Sequence, residues 1–133
     1  MTIKAATLNV GGTASFTGGT STGLLYIGAS GNQLNFILDD SSEFVMNKVH
    51  EYSITRPKAQ ASAPNGWTQR GNSIVIKHQL LLDNASYTTN TGRASIRTDP
   101  EATDAEVLAL RLALAQSIAD SAMDEFFNNQ ALD

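Results

Sequence analysis

Through the middle of this chain, apolar and polar residues alternate one for one. His50, Tyr52 and Ile54 interleave with Glu51, Ser53 and Thr55. That period of two is the mark of a strand with one buried and one polar face. It extends a strand over residues 44–56, which Pro57 ends. Residues 72–82 repeat the pattern, with Ile74, Ile76, His78 and Leu80 on one side and Ser73, Val75, Lys77, Gln79 and Leu81 on the other. A turn over 83–86 leads into a last strand over 87–98. There Gly92, Ala94 and Ile96 alternate with Thr91, Arg93, Ser95 and Arg97. Joined as an antiparallel meander, the three strands align into one apolar side and one polar, net basic side. Pro57, Pro64, Asn65-Gly66 and Gly71 make 57–72 a loop, in which Trp67 is expected to serve as a packing anchor.

The first 43 residues read as short strands between Gly-rich turns. Residues 3–10 are strand-like and stop at Gly11-Gly12, and 13–17 are placed to pair back, giving an N-terminal hairpin region over 1–30. Gly18-Gly19 and the Ser/Thr run at 20–22 form a loop. Apolar runs at 24–27 and 34–38 flank a turn at 29–32. Which of these segments partners 3–10 is left open by the pattern.

After Pro100 the period changes. Thr103-Asp104-Ala105-Glu106 is a capping box, in which hydroxyl and carboxylate each satisfy a free backbone amide. A helix follows to about residue 117. Val107, Leu110, Leu114 and Ile118 line one stripe, widened by Leu108 and Leu112. Residues 120–129 read as a second short helix with Ala122, Met123, Phe126 and Phe127 apolar. The expected class is α+β: an N-terminal hairpin, a five-stranded antiparallel sheet over 31–98 and two helices over 101–129, in one domain of 133 residues. The helices are expected to cover the apolar side of the sheet. The first helix carries more apolar surface than one such contact needs. At about 25 cal/mol per Å² of apolar area, a second copy is the economical cover.

Composition narrows the chemistry. No apolar run is long enough to span a bilayer, and Met1-Thr2-Ile3-Lys4 does not open a signal peptide, so a cytoplasmic site of assembly is expected. There is no cysteine, and His50 and His78 lack metal-motif spacing, so no cofactor or metal is expected. A formal charge of −4 argues against nucleic acid until it is mapped. Residues 44–98 hold Lys48, Arg56, Lys58, Arg70, Lys77, Arg93 and Arg97 against Glu51 and Asp83. Residues 99–133 hold Arg111 against eight acids. Such segregation points to one basic and one acidic surface. No phosphate loop or metal motif is present, Gly19-Thr20-Ser21-Thr22-Gly23 spells Gly-x-Ser-x-Gly only within the Ser/Thr loop, and Asp39-Asp40 reads as a solvated turn, so an enzyme is not expected.

The order of these features resembles the coat proteins of single-stranded RNA bacteriophages, nearest the Q-beta type. Glu51-Tyr52-Ser53-Ile54-Thr55-Arg56-Pro57 and residues 97–114, with Ala102-Thr103-Asp104-Ala105-Glu106, carry the resemblance, which covers about 44–132. It implies an intertwined homodimer whose sheets join and whose helices lie across each other's sheets. It further implies icosahedral assembly into a virion capsid and a genomic RNA hairpin on the inner sheet face, with repression of replicase translation. Carried over by position, the RNA face comprises Val49, Glu51, Ser53, Thr55, Lys77, Gln79, Thr91, Arg93, Ser95 and Arg97, with Tyr87 open between stacking and packing. The dimer interface comprises Val107, Leu108, Leu110, Leu112, Leu114 and Ile118. Glu51 departs from the neutral residue usual in the family, the 57–72 loop is longer than usual, and 83–90 is shorter. The competing expectation is a non-viral, dimeric, sheet-based RNA-binding regulator that forms no particles.

Overall fold

The computed structural model describes residues 3–39 and 48–132. They fall into two compact units: Gly18–Pro100, and Met1–Thr17 with Glu101–Asp133.

The first unit is a five-stranded antiparallel meander in the order β1 (Gly23–Ser30), β2 (Gln33–Asp39), β3 (Lys48–Thr55), β4 (Arg70–Leu81) and β5 (Tyr87–Thr98). Alternating sequence and tight turns account for it. Ser30 and Gln33 pair directly across Gly31-Asn32, and Gly31 has φ 59°, the left-handed value that a two-residue hairpin requires at its first central position. A bulge between Tyr26 and Gly28 interrupts the β1–β2 register. β4 and β5 are longest and pair over all twelve residues. Their turn closes with Leu82 N–H donating to Ser86 C=O at 2.8 Å and Ser86 N–H to the Asn84 side chain at 3.0 Å. The predicted strand over 44–56 is seen from Lys48 onward; 44–47, Asp40 and Glu43 lie outside the described residues.

In the second unit the capping box forms as read. Glu106 N–H donates to Thr103 Oγ1 at 3.2 Å, and Thr103 N–H donates to Glu106 Oε2 at 3.1 Å. Helix α1 runs Asp104–Ala119, two residues past the expected end. Asp120, in extended conformation, breaks it and accepts from Ala122 N–H at 2.9 Å, so the predicted second helix divides into a 3-10 turn (Ser121–Met123) and α2 (Asp124–Asn129).

The N-terminal hairpin does not form. Ile3–Ala5 is a 3-10 turn, and residues 6–17 contain no strand. Asn9 engages the helix instead. Its N–H donates to Gln116 Oε1 at 2.7 Å, and its C=O accepts from Gln116 Nε2 at 3.0 Å, so one side-chain amide takes both backbone groups a ladder would use. Apart from Phe16, residues 13–22 are small or polar and offer little apolar face, and an isolated two-stranded hairpin is marginal in water.

Candidate nucleic-acid interface

Register decides which side chains share a face. Directly opposed residues run in rows across β3, β4 and β5: Val49–Lys77–Thr91, Glu51–Val75–Arg93, Ser53–Ser73–Ser95 and Thr55–Gly71–Arg97. Gln79 opposes Thr89 on the same side. All ten residues expected on the RNA face therefore lie on one face of one sheet. On these three strands it carries Lys77, Arg93 and Arg97 against Glu51. Thr91, Arg93, Ser95 and Arg97 are exposed along β5. Tyr87, opposite Leu81, sits on this face at the far end of β5 from Arg97 and is exposed.

The face is not uniformly polar. Rows continue onto β1 and β2, where Leu25 opposes Ile37 and Ile37 opposes Val49. Ile37 is buried, as is Val75, at 9% exposure between Glu51 and Arg93. The surface is thus an apolar bed flanked by cations and hydroxyls. Such a mixture suits single-stranded nucleic acid, in which phosphates meet charge and unstacked bases meet apolar or hydrogen-bonding ground.

Glu51 is committed within the face. Lys77 Nζ lies 2.9 Å from Glu51 Oε1, with the side chains 40% and 22% exposed. The two residues sit in adjacent rows on neighbouring strands, diagonal neighbours that long side chains bridge. Spacing alone did not reveal this pair, because diagonal contacts follow from register. Half-exposed ion pairs add little stability, so the consequence is electrostatic: Lys77 is held in place and partly neutralised.

The opposite face is apolar and aromatic. Tyr26, Phe36 and Tyr52 stack edge to face, at centroid distances of 5.8 and 5.6 Å. His50 lies against Tyr52, its Nδ1 3.3 Å from the phenol oxygen, and 6.1 Å from the His78 ring. Burial, and then the charge of His78, hold the His50 pKa below its usual value. Its Nε2 is buried without a hydrogen-bond partner among the described residues, which favours the neutral ring. Leu24, Tyr26, Leu34, Ile54, Ile74 and Leu80 on this face remain exposed.

Helix α1 is equally uncovered. Of the residues expected at a dimer interface, Leu108, Leu110 and Ile118 are exposed, and Val107, Leu112 and Leu114 are half-buried; none of α1 is buried. In the same unit Val10 is 99% and Phe16 86% exposed.

Trp67 departs from expectation. It is 49% exposed rather than a buried anchor. The loop is tied instead by Asn65, whose Nδ2 donates to Asp99 Oδ1 at 2.7 Å and whose Oδ1 accepts from Trp67 N–H at 3.1 Å. Lys58 and Thr68 exchange two further bonds of 2.9 and 2.8 Å.

The chain matches no protein-family model and no curated protein. Its three-dimensional likeness is close. A subunit of the virus-like particle of bacteriophage GQ-907 superposes with a TM-score of 0.83 at 24% identity, over 99% of this chain and 100% of that one. A subunit of the virus-like particle of bacteriophage AVE019 superposes with a TM-score of 0.67 at 9% identity, over 88% and 92%. A five-stranded antiparallel meander followed by two C-terminal helices, superposing end to end on such subunits, gives this chain the RNA-phage coat-protein fold.

Proposed function

We propose that this protein is a capsid subunit of a single-stranded RNA bacteriophage, which dimerises, assembles into a closed shell and holds genomic RNA on the polar face of its sheet. The observation that carries the reading is the pairing of an end-to-end match to a virus-like-particle subunit with a cationic face assembled in register from three strands. The RNA partner is supported by Lys77, Arg93 and Arg97, which neutralise phosphate and release counterions, and by Ser53, Thr55, Gln79, Thr91 and Ser95, which hydrogen-bond phosphates and bases. Glu51 lowers the charge of the face, so recognition there leans on hydrogen bonds and shape more than on bulk charge.

Dimerisation is supported by two uncovered apolar surfaces, the aromatic face of the sheet and the Leu/Ala-rich α1. Patches of this extent mark interfaces in stable proteins. A second copy supplies both surfaces at once, in an isologous arrangement. Repression of replicase translation follows if the same face takes a hairpin at the replicase start.

Electron microscopy of the purified recombinant protein tests the assembly, and nuclease digestion with ultraviolet absorbance tests for packaged RNA. Discrete closed particles containing protected RNA are expected. A dimer that never assembles would favour a regulator, and a stable monomer would remove the reading.

A further inference from the structure

One end of the polar face opens into a cup of about 390 Å³, within the roughly 300–1,000 Å³ typical of small-ligand sites. Its floor is Gly71, which pairs with Thr55 on one side and Arg97 on the other. Those two residues form its walls, so the cup is the last row of the polar face rather than a separate hollow. A Cβ at Gly71 would stand 3.3 Å from the Thr55 Cβ; glycine keeps the floor low. Trp67 forms the rim, with Gln60 and Gln69 beside it.

We propose that this cup takes one unpaired base of the RNA strand lying on the sheet, stacked on the Trp67 indole with Arg97 at its phosphate; the inference rests on the RNA-face reading above. Three observations carry it. The indole is half exposed, on a loop that the Asn65–Asp99, Lys58–Thr68 and Ala59–Trp67 pairings hold in place. A preordered ring stacks without the entropic cost of ordering a flexible loop. Arg97 is exposed and lines the same cup as the indole. The remaining lining mixes hydrogen-bonding Thr55, Gln60, Thr68 and Gln69 with apolar Ala63 and Pro64 and the Asp99 carboxylate, which Asn65 already engages; that mixture offers polar groups to the edge of a base and apolar ones to its face.

Trp67 is the sole tryptophan of the chain, so intrinsic fluorescence reports on this site alone. The experiment titrates the assembled full-length protein with a fluorescein-labelled single-stranded RNA 12-mer, following anisotropy and tryptophan emission together. Quenching that saturates with binding is expected. Trp67→Leu is expected to weaken binding about tenfold, equal to about 1.4 kcal/mol, with an unchanged salt slope because no charge is lost. Trp67→Phe keeps a stacking ring and is expected to retain most of the affinity, which separates lost stacking from misfolding. RNA that binds wild type without quenching, and binds Trp67→Leu at full strength, overturns the cup and leaves the RNA face standing. Loss of particles in Trp67→Leu at unchanged RNA affinity also overturns it, in favour of a subunit contact. Equal quenching by adenosine monophosphate at matched concentration overturns the assignment to a strand. RNA that fails to bind wild type removes the RNA-face reading itself and the cup with it.

Discussion

Replacing Lys77 and Arg93 with Ala gives the sharpest test of the RNA face. On β3–β5 that face holds three cations and one carboxylate, with Lys77 already bonded to Glu51 at 2.9 Å. The double substitution leaves Arg97 as the one cation of these strands' face and Glu51 without its lysine. For single-stranded nucleic acid, each neutralised phosphate contributes about −0.7 to the slope of log K against log salt, so three contacts per subunit give about −2.1 and one gives about −0.7. Over a fourfold rise in salt, wild-type binding is then expected to weaken about 18-fold and the variant only about 3-fold. The assay is anisotropy of a labelled single-stranded RNA between about 50 and 200 mM salt, the range over which such contacts are titrated. Light scattering run in parallel checks that dimers persist, since both side chains lie on the face opposite the aromatic cluster. An unchanged slope in a folded, dimeric double variant would refute the assigned face, whatever happened to the absolute affinity.

Further outcomes follow from single contacts. Glu51→Gln releases Lys77 and removes the one carboxylate of the β3–β5 face, so RNA binding is predicted to tighten; weaker binding in the same anisotropy assay would instead assign Glu51 a direct role in reading a base. Leu110→Asp or Leu114→Asp places a charge on the uncovered apolar helix, and loss of the soluble dimer is predicted, checked by multi-angle light scattering, where a normal dimer would exclude α1 from the interface. His50 has a folded-state pKa depressed below its ordinary 6.5, by burial first and by His78 second. The neutral ring therefore contributes stability that is present above pH 6.5 and lost as pH falls through the lower folded value. Urea melts at pH 7.5 and 5 are predicted to show an acid loss that shrinks in His50→Gln; an identical loss would shift the cause to other groups.

The two periodicities were enough to set the local architecture. Period-two alternation at 50–55, 73–81 and 91–97 assigned three strands and sorted their side chains onto two faces, because successive residues of a strand must point to opposite sides. The Thr103–Glu106 box marked the start of α1, because capping is a local exchange of two hydrogen bonds. Other features depended on contacts between distant residues. The segment at 3–17 has the composition of a strand pair, yet the Gln116 amide, more than a hundred positions away, takes the backbone groups of Asn9. The Glu51–Lys77 pair and the Thr55–Gly71–Arg97 row exist only once β3, β4 and β5 adopt their register. Trp67 looked like an anchor because tryptophan usually packs; Asn65 took that task through Asp99 and left the indole half exposed. The chain by itself thus determined which residues of any one strand or helix lie on the same side, since that follows from backbone geometry within the element. Only the tertiary structure decided which charges meet and which aromatic ring stays open, since both depend on how separate strands align.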